Sequence, residues 1–359
     1  MNLEELGWNS SLQDFITRQE TSDLIPGRIS NVSGRRYRVM TEEGELSATL
    51  LPSAYRTVVH RSDLPAVGDW VGLKKNVEIN RYQIYLVLPR KNKLSRMFAG
   101  KKTEEQIIAA NIDKVFIVTS LDNDFNIRRI ERSLVIVYEI GALPVIVLNK
   151  ADKCKGYKTY LEIVKRSAPE LTVLAISALN GINISELNKI INPCETIVLF
   201  GSSGVGKSTL INQLLGYKRQ KVGEIRESDG KGRHVTSSRE LILLPEGGML
   251  IDNPGIREIQ LWSNGHGISE AFRDLEEFAI SCHFKDCKHQ KEPKCAVKRA
   301  VEDGILPSKR LEHFHKLQRE KEHTDRKRNK YERKKEDKRL GKMYRKAKDY
   351  IKIVKERDQ

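Results

Sequence analysis

The chain has no long apolar run. Its first twenty residues, MNLEELGWNSSLQDFITRQE, lack the apolar centre of a secretory signal. The longest apolar stretch, Leu134 to Leu148, is broken by Glu139, Gly141 and Pro144 and is too short to span a bilayer. A buried helix followed by a strand fits it better. Cysteine is scarce: five among 359 residues, three of them within 282–295. That pattern excludes a secreted disulfide framework and leaves a cytoplasmic protein, without membrane attachment, as the expectation. No internal repeat is visible in the sequence.

Charge is plentiful. Lys and Arg number 64 against 48 Asp and Glu, a formal net charge of +16. Such an excess favours a polyanionic partner, nucleic acid or an anionic membrane face. Residues 316–359 hold 19 Lys/Arg and 9 Asp/Glu, so 19 − 9 = +10 of the excess lies in this tail. At about 100–200 residues per domain, the length predicts two or three domains.

Residues 24–92 read as a small OB-like β-barrel. Short runs at 27–32, 36–40, 46–50, 67–71 and 82–88 are separated by turn signals such as Ser33-Gly34 and Glu43-Gly44. From 96 to 262 the pattern changes to β-rich runs (114–119, 144–148, 172–176, 196–200) alternating with helical stretches such as Ile127 to Ile140. This predicts an α/β domain with a mostly parallel sheet. Residues 240–244 and 248–251 read as a hairpin at its edge. Residues 1–23 are an N-terminal segment, 263–310 a small α-rich domain, and 311–359 a basic tail, helical or disordered.

Gly201 to Ser208 reads GSSGVGKS, the pattern GxxxxGK[ST], after one apolar run and before a helical stretch opened by Thr209. This strand–loop–helix context marks a phosphate loop. Gly201, Ser202, Ser203, Gly204, Val205 and Gly206 would curl their N–H groups around phosphates at a helix N-terminus. Lys207 would reach the β- and γ-phosphates, and the Ser208 hydroxyl would ligate Mg²⁺. Asn149, Lys150, Ala151 and Asp152 form an NKxD motif after a strand. The Asp152 carboxylate can accept from both guanine N1–H and the 2-amino group, a donor pair adenine lacks. The Lys150 stem can lie against the ring, and Asn149 can tie this loop to the phosphate loop. The Ser177-Ala178 pair can offer a backbone N–H to guanine O6. Asp252 can hold Mg²⁺ through water and Gly255 can face the γ-phosphate, although Asn253-Pro254-Gly255 is also plain turn chemistry.

The order is reversed from common GTPases, since Asn149 precedes Gly201. Loops at the carboxyl ends of strands in one sheet can still meet one nucleotide, so the domain is predicted to be a circularly permuted P-loop GTPase domain. Downstream, Cys282, Cys287, His289 and Cys295 supply a Cys₃His set within fourteen residues. A closed set of this kind predicts one structural zinc, which would substitute for a core this segment cannot build.

The motif order, the Gly232-Arg233-His234 segment and the Cys/His spacing resemble the RsgA/YjeQ GTPases over residues 24–310, including Leu88-Pro89-Arg90 at the barrel exit. The resemblance implies a GTPase that binds the small ribosomal subunit and its rRNA and assists late maturation. GTP and GDP would be its nucleotides and its turnover would be stimulated by the ribosome. It also implies that Thr236 closes on Mg²⁺, although Val235 departs from the family phrase GxHTT. Ile256 stands where many GTPases place a water-orienting Gln, and the family's candidate for that role is His234. A monomer is expected, because no feature demands an oligomer. Two other readings are an RNA-binding module gated by guanine nucleotide with little hydrolysis, and a GTPase acting on another RNA or a membrane surface.

Overall fold

Near the N-terminus, Asn9 caps helix α1 (Ser10–Thr17) by accepting the Leu12 N–H at 3.1 Å. Five strands follow: β1 (Ile25–Ser33), β2 (Arg36–Thr41), β3 (Gly44–Leu50), β4 (Trp70–Asn76) and β5 (Arg81–Val87). In β2, Tyr37, Val39 and Thr41 point inward while Arg36 and Arg38 face out, the period of two expected of a half-buried strand. β1 pairs antiparallel with both β2 and β4, β2 with β3 and β4 with β5, while β3 runs parallel to β5. The ring is therefore a closed barrel of OB type, filled by Ile29, Tyr37, Val39, Ala48, Val71, Leu73 and Ile84. A Cβ on Gly27 would come within 2.6 Å of Val39 Cγ1, so the lumen has no room there.

The computed structural model describes residues 2–19, 23–52, 61–78, 80–97, 105–122, 125–219, 239–252 and 265–326. One barrel strand begins later than the sequence pattern predicts. Gly68 takes φ +88° and the Asp69 carboxylate accepts the Ala66 N–H at 2.7 Å, so residues 66–69 turn and β4 starts at Trp70. Arg90 then grips Asp69 through two 2.7 Å bonds and closes the barrel exit. An antiparallel hairpin follows, β6 (Lys93–Met97) with β7 (Glu105–Ala110), which the sequence pattern had not signalled.

The central sheet is built from β8 (Lys114–Ser120), β9 (Leu143–Asn149), β10 (Thr172–Ala175), β11 (Thr196–Phe200), β12 (Glu240–Leu243) and β13 (Met249–Asp252). Its order is β10-β9-β8-β11-β13-β12, parallel except for β12. Helices α2 (Ile127–Ile140), α3 (Tyr157–Ser167), α4 (Ile184–Asn188) and α5 (Lys207–Leu215) cover it. Alternate strand residues face opposite layers, so both faces are apolar. Phe116, Val118, Val145 and Val147 meet Leu187, Leu210 and Leu214 on one side. Val115, Ile117, Ile146 and Leu148 join a second core with Ile130, Leu134 and Val137 of α2 on the other. Each such side chain contributes about 1.5–3 kcal/mol on burial.

The β12–β13 hairpin does not leave a free edge. β12 meets β1 of the barrel at Glu240 and Asn31, and Asn31 Nδ2 donates to Arg239 O at 2.9 Å. Glu240 also accepts from Arg38 of the barrel (2.9 Å) and from Arg219 (2.5 Å). Arg28, 2% exposed, is a second junction: it donates to Leu6 O, Gly68 O, Asn111 O and Thr196 Oγ1. Burial pulls its pKa down to about 10, which leaves it cationic at neutral pH.

The C-terminal region holds α6 (His266–Ala271), α7 (Arg273–Ala279), α8 (Ala296–Glu302) and a long helix over residues 308–326, here α9. It clasps α2 along its length. Gly267 lies so close that a Cβ would sit 2.3 Å from Val135 O, and its N–H reaches Glu139 at 2.8 Å. The buried Glu131 accepts from Arg310 (2.7 Å) and contacts His313 Nδ1 (2.5 Å), while Arg132 and Glu320 form two 2.6 Å bonds. The packed α9 straddles residues 310 and 311, where composition alone places the start of the tail.

Candidate nucleotide site and metal centre

Because β8, β9, β10, β11 and β13 are parallel, their carboxyl ends share one edge of the sheet. From β10 at one margin the chain crosses back past β9 and β8 to β11, and this reversal is where ligands bind in open α/β sheets. The two nucleotide motifs lie on that edge, and their strand order fits together although their sequence order is permuted.

The phosphate loop leaves β11 at Gly201, where a Cβ would stand 2.1 Å from Val118 O. Gly206 has φ +95°, and its Cβ would strike Asn149 Nδ2 at 2.3 Å. Glycine is needed at both positions for steric reasons. Val205 is buried beneath the loop, while Ser203 and Gly204 are exposed at its crest. α5 opens at Lys207, which places Ser208 and Thr209 in its first turn. The N–H groups of that turn point at the loop, together with the positive end of the helix. Lys207 Nζ donates to Gly201 O (2.7 Å) and Ser202 O (2.5 Å), so the ammonium sits over the loop's own carbonyls.

Asn149 joins the two loops. Its side chain is buried, donates to Val205 O at 2.8 Å and accepts from Ala178 N at 3.0 Å. One amide therefore holds the phosphate loop, the NKxD loop and the Ser177-Ala178 loop in mutual register. Lys150 follows with φ +63°, a left-handed conformation uncommon outside glycine, asparagine and aspartate. Ala151 N donates to Ile176 O at 3.0 Å, and Asp152 is exposed in the short turn Ala151–Lys153. Both N–H groups of Ser177-Ala178 have acceptors within the protein: Ser177 N donates to Ile182 O and Ala178 N to Asn149. These bonds brace the Ser177-Ala178 loop against Asn149 and Ile182. Asp252 ends β13, beside the strand that launches the phosphate loop. His234, Thr236, Gly255 and Ile256 lie outside the described residues.

Three residues at this edge escaped sequence reasoning. Asp122 pairs with Lys150 at 2.7 Å, Ser120 donates to Asp122 at 2.8 Å, and Arg129 of α2 reaches Ser202 Oγ at 3.3 Å. The available signal was their position: the last residue of a strand, two residues beyond it, and the first turn of the next helix.

Cys282, Cys287, His289 and Cys295 converge, with all four ligand atoms within 4.8 Å of one another. Cys282 Sγ lies 3.9 Å from Cys295 Sγ and 3.6 Å from His289 Nδ1, and His289 Nδ1 lies 3.4 Å from Cys295 Sγ. A tetrahedron with metal–sulfur bonds of about 2.3 Å has edges of about 3.8 Å, so the cluster is sized for one metal ion. Without a cation's charge, burial followed by the neighbouring Cys295 and Cys282 pushes the Cys287 thiol up to about 11. A divalent ion reverses that preference by stabilising thiolates. Burial pulls the His289 imidazole below its ordinary range, which keeps it in the neutral, ligating form. His289 and Lys294 have φ +58° and +57°, so the knot bends through backbone that packing alone does not favour. Among the described residues, no helix is long and apolar enough to cross a membrane.

Comparison with known proteins agrees with this geometry. A family model described as RsgA GTPase matches residues 87–262, and one described as 50S ribosome-binding GTPase matches residues 196–343. A Methanosarcina acetivorans protein named small ribosomal subunit biogenesis GTPase RsgA is 44% identical over 311 residues, covering 87% of this chain and 83% of its own. The Streptomyces coelicolor protein of the same name is 39% identical over 321 residues, covering 89% and 86%. The crystal structure of YjeQ from Thermotoga maritima superposes with a TM-score of 0.63 at 25% identity, covering 83% of this chain and 99% of that one. YloQ, described as a circularly permuted GTPase, gives a TM-score of 0.62 at 23% identity, covering 86% and 98%, a likeness of fold.

Proposed function

The chain belongs to the RsgA GTPase family, and from that premise we propose that it binds the small ribosomal subunit, assists its late maturation and hydrolyses GTP to GDP and phosphate while bound. The observation that carries the reading is the Asn149 bridge, which ties the NKxD loop to the phosphate loop and to the Ser177-Ala178 loop. Asp152 reads the guanine edge and the phosphate-loop N–H groups with Lys207 neutralise the phosphates. Ser208, Thr236 and, through water, Asp252 would hold Mg²⁺, whose bound charge offsets that developing on the phosphates. His234 orients the attacking water, since Ile256 cannot. Turnover is therefore slow without the ribosomal subunit.

The Cys₃His cluster is assigned to one structural zinc, because its four protein ligands leave no open position. The barrel, the zinc domain and the basic tail offer rRNA contacts that weaken with salt. We take 24–92, 96–262 and 263–310 as the functional divisions of a cytoplasmic, monomeric protein. The deciding experiment is GTP hydrolysis with and without purified small subunits at physiological salt. Strong stimulation, lost in His234→Ala, is expected. Subunit binding without stimulation would overturn the enzymatic reading and favour an RNA-binding module gated by nucleotide.

A further inference from the structure

The Lys150 side chain has a partner that the nucleotide motifs do not include. β8 and β9 end side by side, with Ser120 opposite Asn149 and Leu121 N donating to Asn149 O at 2.8 Å. Two residues beyond Ser120, Asp122 returns toward the site. Ser120 Oγ, on a residue only 1% exposed, donates to Asp122 Oδ1 at 2.8 Å, and Lys150 Nζ donates to Asp122 Oδ2 at 2.7 Å. The carboxylate is thus oriented from the sheet end by one oxygen and holds the ammonium with the other.

An ordinary surface ion pair would form equally well from relaxed backbone. Lys150 instead occupies the left-handed region at φ +63°, a conformation that persists where the surroundings over-determine it. The pair joins the loop after β8 to the loop after β9, and both border the position that Asn149 and Asp152 define for the base. A lysine with a free ammonium samples many rotamers and loses them when a ligand packs on its stem. One whose ammonium is already fixed loses far fewer.

We propose that Asp122 is a positioning residue for the nucleotide base: it anchors the Lys150 ammonium so that the four-carbon stem stands as a preformed wall against the purine face. This rests on reading residues 149–152 as the guanine site. The wall contacts the face of the base and ignores its edge, so Asp122 sets affinity for purine nucleotides generally, while Asp152 selects guanine. Removing one immobilised, rotamer-rich contact of this kind corresponds to about a threefold to tenfold change in affinity.

The test is fluorescence titration of the full chain with N-methylanthraniloyl-GDP and its inosine counterpart, together with steady-state GTP hydrolysis. Asp122→Ala is expected to weaken both nucleotides by the same factor, about threefold to tenfold, and to raise KM for GTP while kcat at saturation holds. Asp122→Asn, whose amide oxygen still accepts from Lys150, should fall between, and it serves as the working variant if Asp122→Ala does not fold. In a Lys150→Ala background the Asp122 substitution should add nothing. Unchanged affinity in both Asp122 variants overturns the proposal, as does an undiminished loss in the Lys150→Ala background. Absence of nucleotide binding by the unsubstituted protein overturns the guanine-site reading itself, which separates the two failures.

Discussion

The nucleotide loops hang from the ends of strands whose side chains are buried on both faces, whereas the Cys/His knot lies between two short helices of seven residues each. At the first site the polar groups are braced by the fold: Asn149 is held between Val205 and Ala178, and glycines stand where neighbours leave no space. At the second, left-handed residues and clustered thiols await a cation. The contrast shows two ways to build a rigid site. One draws on a core already present, and the other brings its stabilisation with the ligand.

The largest effect should come from stripping the metal. Structural zinc binding is worth about 10–16 kcal/mol in small domains at neutral pH, so a chelator should abolish amide protection across 282–295 while GDP affinity changes little. Protection that survived metal loss would show that the knot holds itself and erase the contrast. The reciprocal disruption is Asn149→Ala. It leaves the buried Val205 carbonyl and Ala178 N–H without their partner, at about 1–3 kcal/mol each, so GDP binding should weaken at least tenfold with zinc content unchanged. Zinc lost alongside nucleotide affinity would mean that the two sites share one support. The smallest effect concerns the clasp between them. Hydrogen bonds from Arg132 hold the Glu320 carboxyl below its usual range. A depressed folded-state pKa adds stability above the unfolded value of about 4.3 and loses it as pH falls through the folded one. The pair is a third exposed, so its worth is at most about 1 kcal/mol. Thermal melts of the parent and Glu320→Gln should differ slightly at pH 7 and converge below about pH 4; a gap unchanged at pH 3 would remove the pair from the account.

Much of this was legible in the sequence because it is local. A phosphate loop, an NKxD turn and a Cys₃His spacing are contiguous, and a helix such as Ile127–Ile140 announces itself by its apolar stripe and its caps. The features that escaped depend on partners far along the chain. The turn at 66–69 exists because Asp69 is gripped by Arg90, and β12 is no edge because Asn31, 208 residues away from Arg239, reaches it. Asp122 is an unremarked acidic residue until β8 and β9 are laid side by side. The packed α9 was hidden by its composition: its charges suggest solvent, but His313 contacts Glu131 of α2, Phe314 packs on Phe272, and Leu317 is buried.

The pairing of Arg219 with Glu240 joins elements that the sequence separates. These two residues flank positions 220–238, and Glu240 is in turn fastened to Arg38 on the barrel wall. Entry and exit of the intervening stretch are therefore stapled at one point, whatever its course. One carboxylate thus serves two arginines from separate elements, so loss of Glu240 would release the barrel wall and the segment after α5 together.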